Sequence, residues 1–371
     1  MKFKQIKEGE VKFFVPVGRK YDAAIFYNED AELTRDISVC ALQVFADSTD
    51  KKINVCDALS ASGVRGLRYA KEVKGVGKVF MNDVTQSAAK LMKKNISLNK
   101  LQKKCTVTRS EASQLLRQNI YGAIDLDPFG PPVQFLDSTA KSAFHKGFVM
   151  ITATDTSALA GAFPAACLRK YGIKPIKTEF YSELGMRILI TAIIFAFARY
   201  NKTFVPVMAF PHTHYYRVFG RVEHDNILDD TLKKMGYVNY CSFCGERSFG
   251  KNQENHCVNG KEHLMRSCGP IYLGPINDAD FIEKVLADLR KRDFKKRKEE
   301  LKLIDTLKNE TDYLFYYDLH HLGKIYKFSV PKFDELINKL ESRGFKAVRS
   351  VFSDKAIRTN AKLKDILGIL C

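Results

Sequence analysis

Between residues 53 and 151, short β-branched runs alternate with helical stretches, and this alternation restricts the chain more than any other feature. "KINVCDAL" (52–59), "GKVFMNDV" (77–84), "CTVTRSEA" (105–112), "GAIDLDPFG" (122–130) and "GFVMITATD" (147–155) read as strands. Between them "SGVRGLRYAKEV", "TQSAAKLMKKNISLNK" and "QFLDSTAKSAFHK" carry helical periodicity. Such a pattern implies βαβ units and a parallel sheet, an α/β fold. Ahead of it "LTRDISVCALQVFADS" predicts a helix with Ile37, Ala41, Val44 and Phe45 on one face.

In an open parallel sheet, ligands bind beyond the carboxyl ends of the strands. Four strand ends here carry acids: Asp57, Asp83, Glu111 and the pair Asp125/Asp127. Any one of them serves equally well as a helix N-cap on a βα loop. Their succession favours a ligand-facing edge. The first strand turns through Ser60-Ala61-Ser62-Gly63, small residues that let backbone approach a ligand. Only Gly63 and Gly66 remain of a G-x-G-x-x-G fingerprint, so a pyrophosphate on the helix N-terminus is poorly supported. Asp83, at the end of the second strand, stands where an acid accepts from ribose hydroxyls. Ribose without a pyrophosphate cradle points to a nucleoside cofactor, S-adenosylmethionine.

Asp127-Pro128-Phe129-Gly130 closes the fourth strand. Methyl transfer to an exocyclic amine needs the nitrogen lone pair aimed at the sulfonium methyl, and ring conjugation ties that lone pair up. A carboxylate and a backbone carbonyl accepting the two N–H bonds orient the nitrogen and stabilise the developing positive charge. Proline brings no N–H of its own and leaves its carbonyl to face the substrate. Phe129 offers a stacking face for a base taken out of its helix. Standing alone, D-P-x-G is also an ordinary turn.

Residues 156–225 predict further helices and a strand, "FVPVMAF", followed by "HTHYYRVFGRV". Beyond about 225 the character changes, and a domain boundary is expected there. A cysteine and histidine cluster (241–268) precedes a very basic helix, "IEKVLADLRKRDFKKRKEELKLIDTLK"; the tail reads as a helix and a strand-like pair. Cys241-x-x-Cys244 is half of a structural zinc site. The basic run reads as a solvated face or as a phosphate-following one. A formal charge of +18, from 60 basic and 42 acidic side chains, suits a polyanionic partner. No apolar run approaches the ~20 residues of a membrane span, and "ILITAIIFAFA" (188–198) reads as a buried helix. The N-terminus lacks the pattern of a signal peptide, and nine cysteines argue against a secreted disulfide framework. The expected location is the cytoplasm.

The chain resembles the archaeal and eukaryotic tRNA (guanine-26-N2) dimethyltransferases. The blocks that carry the resemblance are "AIFYNEDAELTRDISV" (24–39), "DALSASGVRGLRYAKE", "IDLDPFGPP", "TATDTSALAGAFPAACLRKYG" (152–172), "CGPIYLGPI" (268–276) and "AIRTNA" (356–361). It implies a class I (Rossmann-like) methyltransferase domain over 1–225 and a family-specific α+β C-terminal domain over 226–371 that binds tRNA and carries the zinc site. It implies two methyl transfers from S-adenosylmethionine to N2 of a guanine. By position Arg35, Arg65, Asp83, Glu111 and Ala112 would line the cofactor. Phe26 and Phe129 would sandwich the guanine, with Asp127 and Pro128 holding N2. Relatives carry more glycine where this chain has Ser60-Ala61-Ser62, and commonly a second close cysteine pair. Here Cys257 and Cys268 are separated, with His256 and His263 nearby. The expected ligands are Cys241, Cys244, Cys257 and Cys268; tetrahedral zinc also accepts a histidine in place of a thiolate. No obligate protein partner is evident. Two other readings stay open: an amino methyltransferase for a different RNA base, and a tRNA-binding protein with weak or lost catalysis.

Overall fold

The computed structural model describes residues 2–17, 25–310 and 313–370; Ala24, the first residue of the 24–39 block, lies outside them. The chain begins with a hairpin that the sequence reading did not anticipate, β1 (Phe3–Glu8) and β2 (Val11–Pro16), paired antiparallel with Glu8 opposite Val11. Strict alternation buries Val11, Phe13 and Val15.

The α/β expectation is met. Helix α1 (Glu32–Asp47) leads into β3 (Ile53–Asp57), α2 (Val64–Glu72), β4 (Val76–Asn82), α3 (Gln86–Leu98), β5 (Cys105–Thr108), α4 (Ala112–Gln118), β6 (Tyr121–Leu126), α5 (Val133–Ser142) and β7 (Ala143–Ala153). Short α6 (Thr156–Leu159) and α7 (Pro164–Tyr171) follow, then α8 (Tyr181–Ala198) and the long hairpin β8 (Lys202–His212) and β9 (Tyr215–His224). One seven-stranded sheet results, in the order β5-β4-β3-β6-β7-β9-β8. Its first five strands are parallel; β9 runs antiparallel to them, and β8, at the edge, antiparallel to β9. Strand order reverses between β3 and β6, so the topological switch point falls where Asp57 and Asp127 sit. Helix α8 is long and apolar enough to cross a membrane, but 78% of it is buried inside the fold.

Beyond α9 (Leu228–Leu232), β10 (Met235–Tyr240) pairs with β11 (Arg247–Gly250) and later with β14 (Arg266–Tyr272). The small ribbon β12 (His256–Cys257) and β13 (Gly260–Leu264) lies between them in sequence. The very basic stretch is two helices, α10 (Ala279–Lys291) and α11 (Arg297–Asn309), where one was expected. They pack on α1: Phe281, Ile282, Val285, Leu286 and Leu289 join the same core as Ile37, Cys40 and Val44. That explains why α1 is buried all round and not on one face only. The chain ends with β15 (Tyr317–Asp318), α12 (Leu319–Tyr326), α13 (Phe333–Ser342), β16 (Ala347–Ser350), β17 (Ser353–Thr359) and α14 (Leu363–Leu370) around a smaller core of Leu322, Leu336, Leu340 and Ile366.

Buried ion pairs lock the C-terminal elements to α8. Glu183 accepts from Arg187 Nε at 2.9 Å and from Arg358 Nη2 at 2.8 Å, and Arg187 Nη1 reaches the carbonyls of Tyr272 and Gly274. The "AIRTNA" and "CGPIYLGPI" blocks thus meet on one helix. A second buried contact joins α11 to α1, where the Glu300 carboxyl faces Asp36. Burial and Asp36 push the Glu300 pKa far above the carboxylate range. It therefore folds protonated, and its penalty grows as pH rises above the unfolded value, 4.5, towards the raised one. Glu300→Gln should match wild type at pH 5 and exceed it at pH 8, the gap widening by at most about 1.4 kcal/mol per pH unit. Denaturant titrations at the two pH values check this; an equal gap at both would show that Glu300 folds ionised.

Candidate active site

The β3–α2 turn shows why its residues are small. Ala61 takes φ +47° and Gly63 φ +83°, and a Cβ on Gly63 would sit 2.4 Å from the Met81 Cε. Asp57, at the end of β3, is buried and accepts the Gly66 N–H at 3.0 Å. Burial, with Asp125 beside it, raises its pKa to about 7. Asp57 therefore braces the start of α2. Asp83 stands across from this turn: Oδ2 accepts the Ala61 N–H at 3.2 Å, while Oδ1 accepts from the Thr85 backbone and hydroxyl at 2.8 Å each. Glu111 is exposed and caps α4 through Oε2 and the Gln114 N–H at 2.9 Å. Those backbone N–H groups hold its carboxyl below the usual range despite slight desolvation. Ala112 is buried as the first residue of α4. For Glu111 the capping alternative is realised in the fold.

The two arginines differ. Arg35 is buried and grips Glu8 of β1 through Nε and Nη2, both at 2.6 Å, with Nη2 also reaching the Asn28 carbonyl. Burial would raise the Glu8 pKa, but Arg35 and Arg68 bring it down to about 2. This anchors the N-terminal hairpin. Arg65 instead projects from α2 onto the end of β6. It pairs with Asp127 and lies 3.5 Å from Asp125.

Beneath Asp127 lies a fully buried network. Arg217 of β9 grips Asp125 with Nη1 at 3.0 Å and Nη2 at 2.7 Å, and the Tyr69 hydroxyl donates to the same carboxylate. Arg217 also reaches Thr152 at 2.8 Å and the Ser38 hydroxyl at 3.0 Å. Arg217 is thus a bracing residue, and the sequence reading missed Tyr69 and Ser38. A charge inside the otherwise apolar "YYRVFG" strand was the available signal. Partial burial would raise the Asp127 pKa, yet Arg65 and Arg217 hold it below its ordinary value. Asp127 is thus a fixed anion, its side chain 30% exposed at the rim.

After Asp127 the chain turns outward. Gly130 adopts φ +100°, a left-handed conformation suited to glycine. Its N–H donates to Thr154 Oγ1 at 2.7 Å, and its carbonyl accepts from the Thr154 N–H at 3.1 Å. Pinned in this way to the end of β7, the loop holds Phe129 in solvent, 76% exposed. Phe26 is also exposed, and the two rings meet edge to face at 5.8 Å. A groove of about 640 Å³ runs between the two halves of the chain, lined by Thr156, Ser157, Tyr181, Tyr215 and Phe352 among others.

The cysteine cluster needs one correction. Cys241, Cys244, Cys257 and His263 bring their ligand atoms within 4.8 Å of one another. Cys268 is elsewhere: β14 places it opposite Val238, facing the main core near Cys167, where burial pushes its thiol up to about 12. His263 takes its place in the cluster. The fit to zinc is good. His263 Nδ1 is buried with no hydrogen-bond partner; Asn259 points its amide at Cys244 Sγ, 3.6 Å away. Three thiolates and an imidazole suit tetrahedral Zn²⁺ as a structural cross-link.

Comparison with known proteins agrees with this geometry. Residues 5–371 match the family described as "TRM: N2,N2-dimethylguanosine tRNA methyltransferase". The chain is 37% identical to the tRNA (guanine(26)-N(2))-dimethyltransferase of Methanobrevibacter smithii, across 100% of this chain and 97% of that one. It is 34% identical to the enzyme of the same name from Pyrococcus abyssi, over 100% and 99%. In three dimensions it superposes on Trm1 from Pyrococcus horikoshii, solved with S-adenosyl-L-methionine, with a TM-score of 0.90, 32% identity and 99% of each chain covered. With its sheet, its Asp-Pro-Phe-Gly loop and its C-terminal elements all accounted for, the chain belongs to the N2,N2-dimethylguanosine tRNA methyltransferase family.

Proposed function

We propose that this protein transfers two methyl groups from S-adenosylmethionine to N2 of guanine 26 in tRNA. The observation that carries the reading is the anionic Asp127 at the carboxyl end of β6, beside two exposed phenylalanines and across from the Asp83–Ala61 turn. The full-length match to enzymes of that name supports the substrate. S-adenosylmethionine, when bound, supplies an electrophilic methyl. Asp83 suits its ribose, Arg35 its carboxylate, and Glu111 with Ala112 the adenine edge, while Arg65 is engaged by Asp127 and Asp125 instead.

The chain's own task is to present the nucleophile. Phe26 and Phe129 take the guanine between them, turning from edge-to-face towards parallel as the base enters. The Asp127 carboxylate and the Pro128 carbonyl accept the two N2 hydrogens, so the lone pair points at the methyl. The N–C bond forms as the S–C bond breaks, and the methylated nitrogen then sheds a proton. That cation is acidic, so a weak base such as Asp127 suffices to receive it. For the second transfer one N–H remains to be held, and the first methyl takes the other position.

Residues 1–225 would do this chemistry, while residues 226–371 would hold the zinc and contact tRNA, consistent with a cytoplasmic enzyme. The test is nucleoside analysis of unmodified tRNA transcript after incubation with labelled S-adenosylmethionine. N2,N2-dimethylguanosine at position 26 is expected; label on adenine would keep the fold and replace the substrate.

A further inference from the structure

The turn between α10 and α11 carries seven basic residues and one acid between Arg290 and Lys298. It is built rigidly. Phe294 turns inward beneath it, buried under the Arg68 guanidinium at 5.0 Å. Arg292 is held by Asp288 and donates to the Glu72 carbonyl. Arg297 Nη2 closes the turn onto the Arg290 carbonyl at 2.6 Å. What remains outward is a cluster of cations, with Arg290, Lys291, Lys295, Arg297 and Lys298 exposed.

Its position is as informative as its charge. Lys295 Nζ lies 3.4 Å from Glu29 Oε1, and Lys296 Nζ donates to the Asp30 carbonyl at 3.3 Å. Glu29 is three residues beyond Phe26, at most about 11 Å of extended chain. The cations therefore stand within a few nucleotides' reach of the Phe26/Phe129 gate. The Lys295–Glu29 pair is exposed on both sides, the kind that holds weakly and yields its lysine to a stronger anion.

We propose that the α10–α11 turn is the surface that grips the phosphates flanking the target base, setting the RNA strand in register with the gate. This rests on the tRNA reading above and adds the site of backbone recognition. An anionic strand held there gains charge-assisted contacts from a preformed cationic turn, with little ordering cost because Phe294 and Arg292 already fix the backbone.

The test compares three proteins by tRNA binding without S-adenosylmethionine, over a salt series. In the first, Lys291, Lys295 and Lys298 become Gln. In the second, the same positions become Arg. In the third, the exposed Lys51, Lys52 and Lys103, at the amino ends of the strands, become Gln. Each lost phosphate contact lowers the slope of log K against log salt by roughly 0.7. The turn variant should therefore lose about 2 from the slope and bind at least ten-fold more weakly at physiological salt. The arginine variant should keep the wild-type slope, and the strand-end variant should change it by less than about 0.5. A turn variant no different from the strand-end control overturns the proposal, as does a loss of kcat with tRNA binding intact. Failure of the tRNA reading shows separately, as wild-type protein that leaves guanine 26 unmodified.

Discussion

Asp127→Ala should lower kcat for tRNA methylation by about 10²- to 10⁴-fold while tRNA and S-adenosylmethionine each bind within about three-fold of wild type. The split follows from what Asp127 does and does not hold. Its partner Arg65 stays beside Asp125, so α2 is not left with an unpaired cation. The side chain is at the rim, so removal leaves no sealed cavity. What disappears is the fixed acceptor that orients the amine and balances the charge appearing on it. Asp127→Asn keeps an oxygen acceptor but loses the negative charge, and should fall between wild type and alanine. The pH profile gives an independent reading. Because Arg65 and Arg217 depress the Asp127 pKa, its active, deprotonated form is complete above the ordinary carboxylate value and is lost only as pH falls through the lowered one. Asp127 therefore contributes no acid limb between pH 5 and 8. A limb near 7 would report Asp57, whose pKa is raised to about 7, and should vanish in Asp57→Asn. An alanine variant within three-fold of wild-type kcat would remove Asp127 from the mechanism.

How much of this was legible in the sequence depends on whether a feature is local. The parallel strands announced themselves because β-branched runs bounded by turns report their own conformation. The Asp-Pro-Phe-Gly loop was readable for the same reason: its pattern lies in four adjacent residues. What could not be read was which residues meet across the fold. Phe281, Ile282, Val285, Leu286 and Leu289 form a clear apolar face, yet no periodicity says that it covers α1. The break of the basic run into two helices depends on Phe294 finding a buried seat beneath Arg68, a long-range contact. Nothing in the lysine-rich N-terminal sequence marks Glu8, and only the structure shows it gripped by Arg35 and Arg68. Asp125 and Arg217 stand 92 positions apart in sequence, and their bond is what lets a carboxylate sit in the middle of the sheet. Functional acids and bracing acids look identical until their partners are known.

The metal cluster shows the same limit and yields the second large effect. Cys257 and Cys268 were both expected as ligands, and strand geometry removes the second: in β14 the Cys268 side chain faces the core, and His263 joins the cluster instead. Purified protein should carry about one zinc per chain. Cys241→Ser, Cys257→Ser and His263→Ala should each bring this below ~0.2, whereas Cys268→Ser should leave it unchanged. His263→Cys should retain the metal, since a four-thiolate site is equally tetrahedral. Loss of zinc should lower the melting temperature by on the order of 10 °C, because the cross-link holds a small knuckle with little core of its own. The damage should spread in one direction. The Cys244 carbonyl accepts the Tyr326 hydroxyl at 2.7 Å, tying the knuckle to α12 and the smaller C-terminal core. The seven-stranded sheet stands apart from that contact, so S-adenosylmethionine binding should survive metal removal while tRNA binding weakens. Equal loss of both ligands would mean that the knuckle supports the whole fold; retention of zinc in His263→Ala would return the fourth ligand to Cys268.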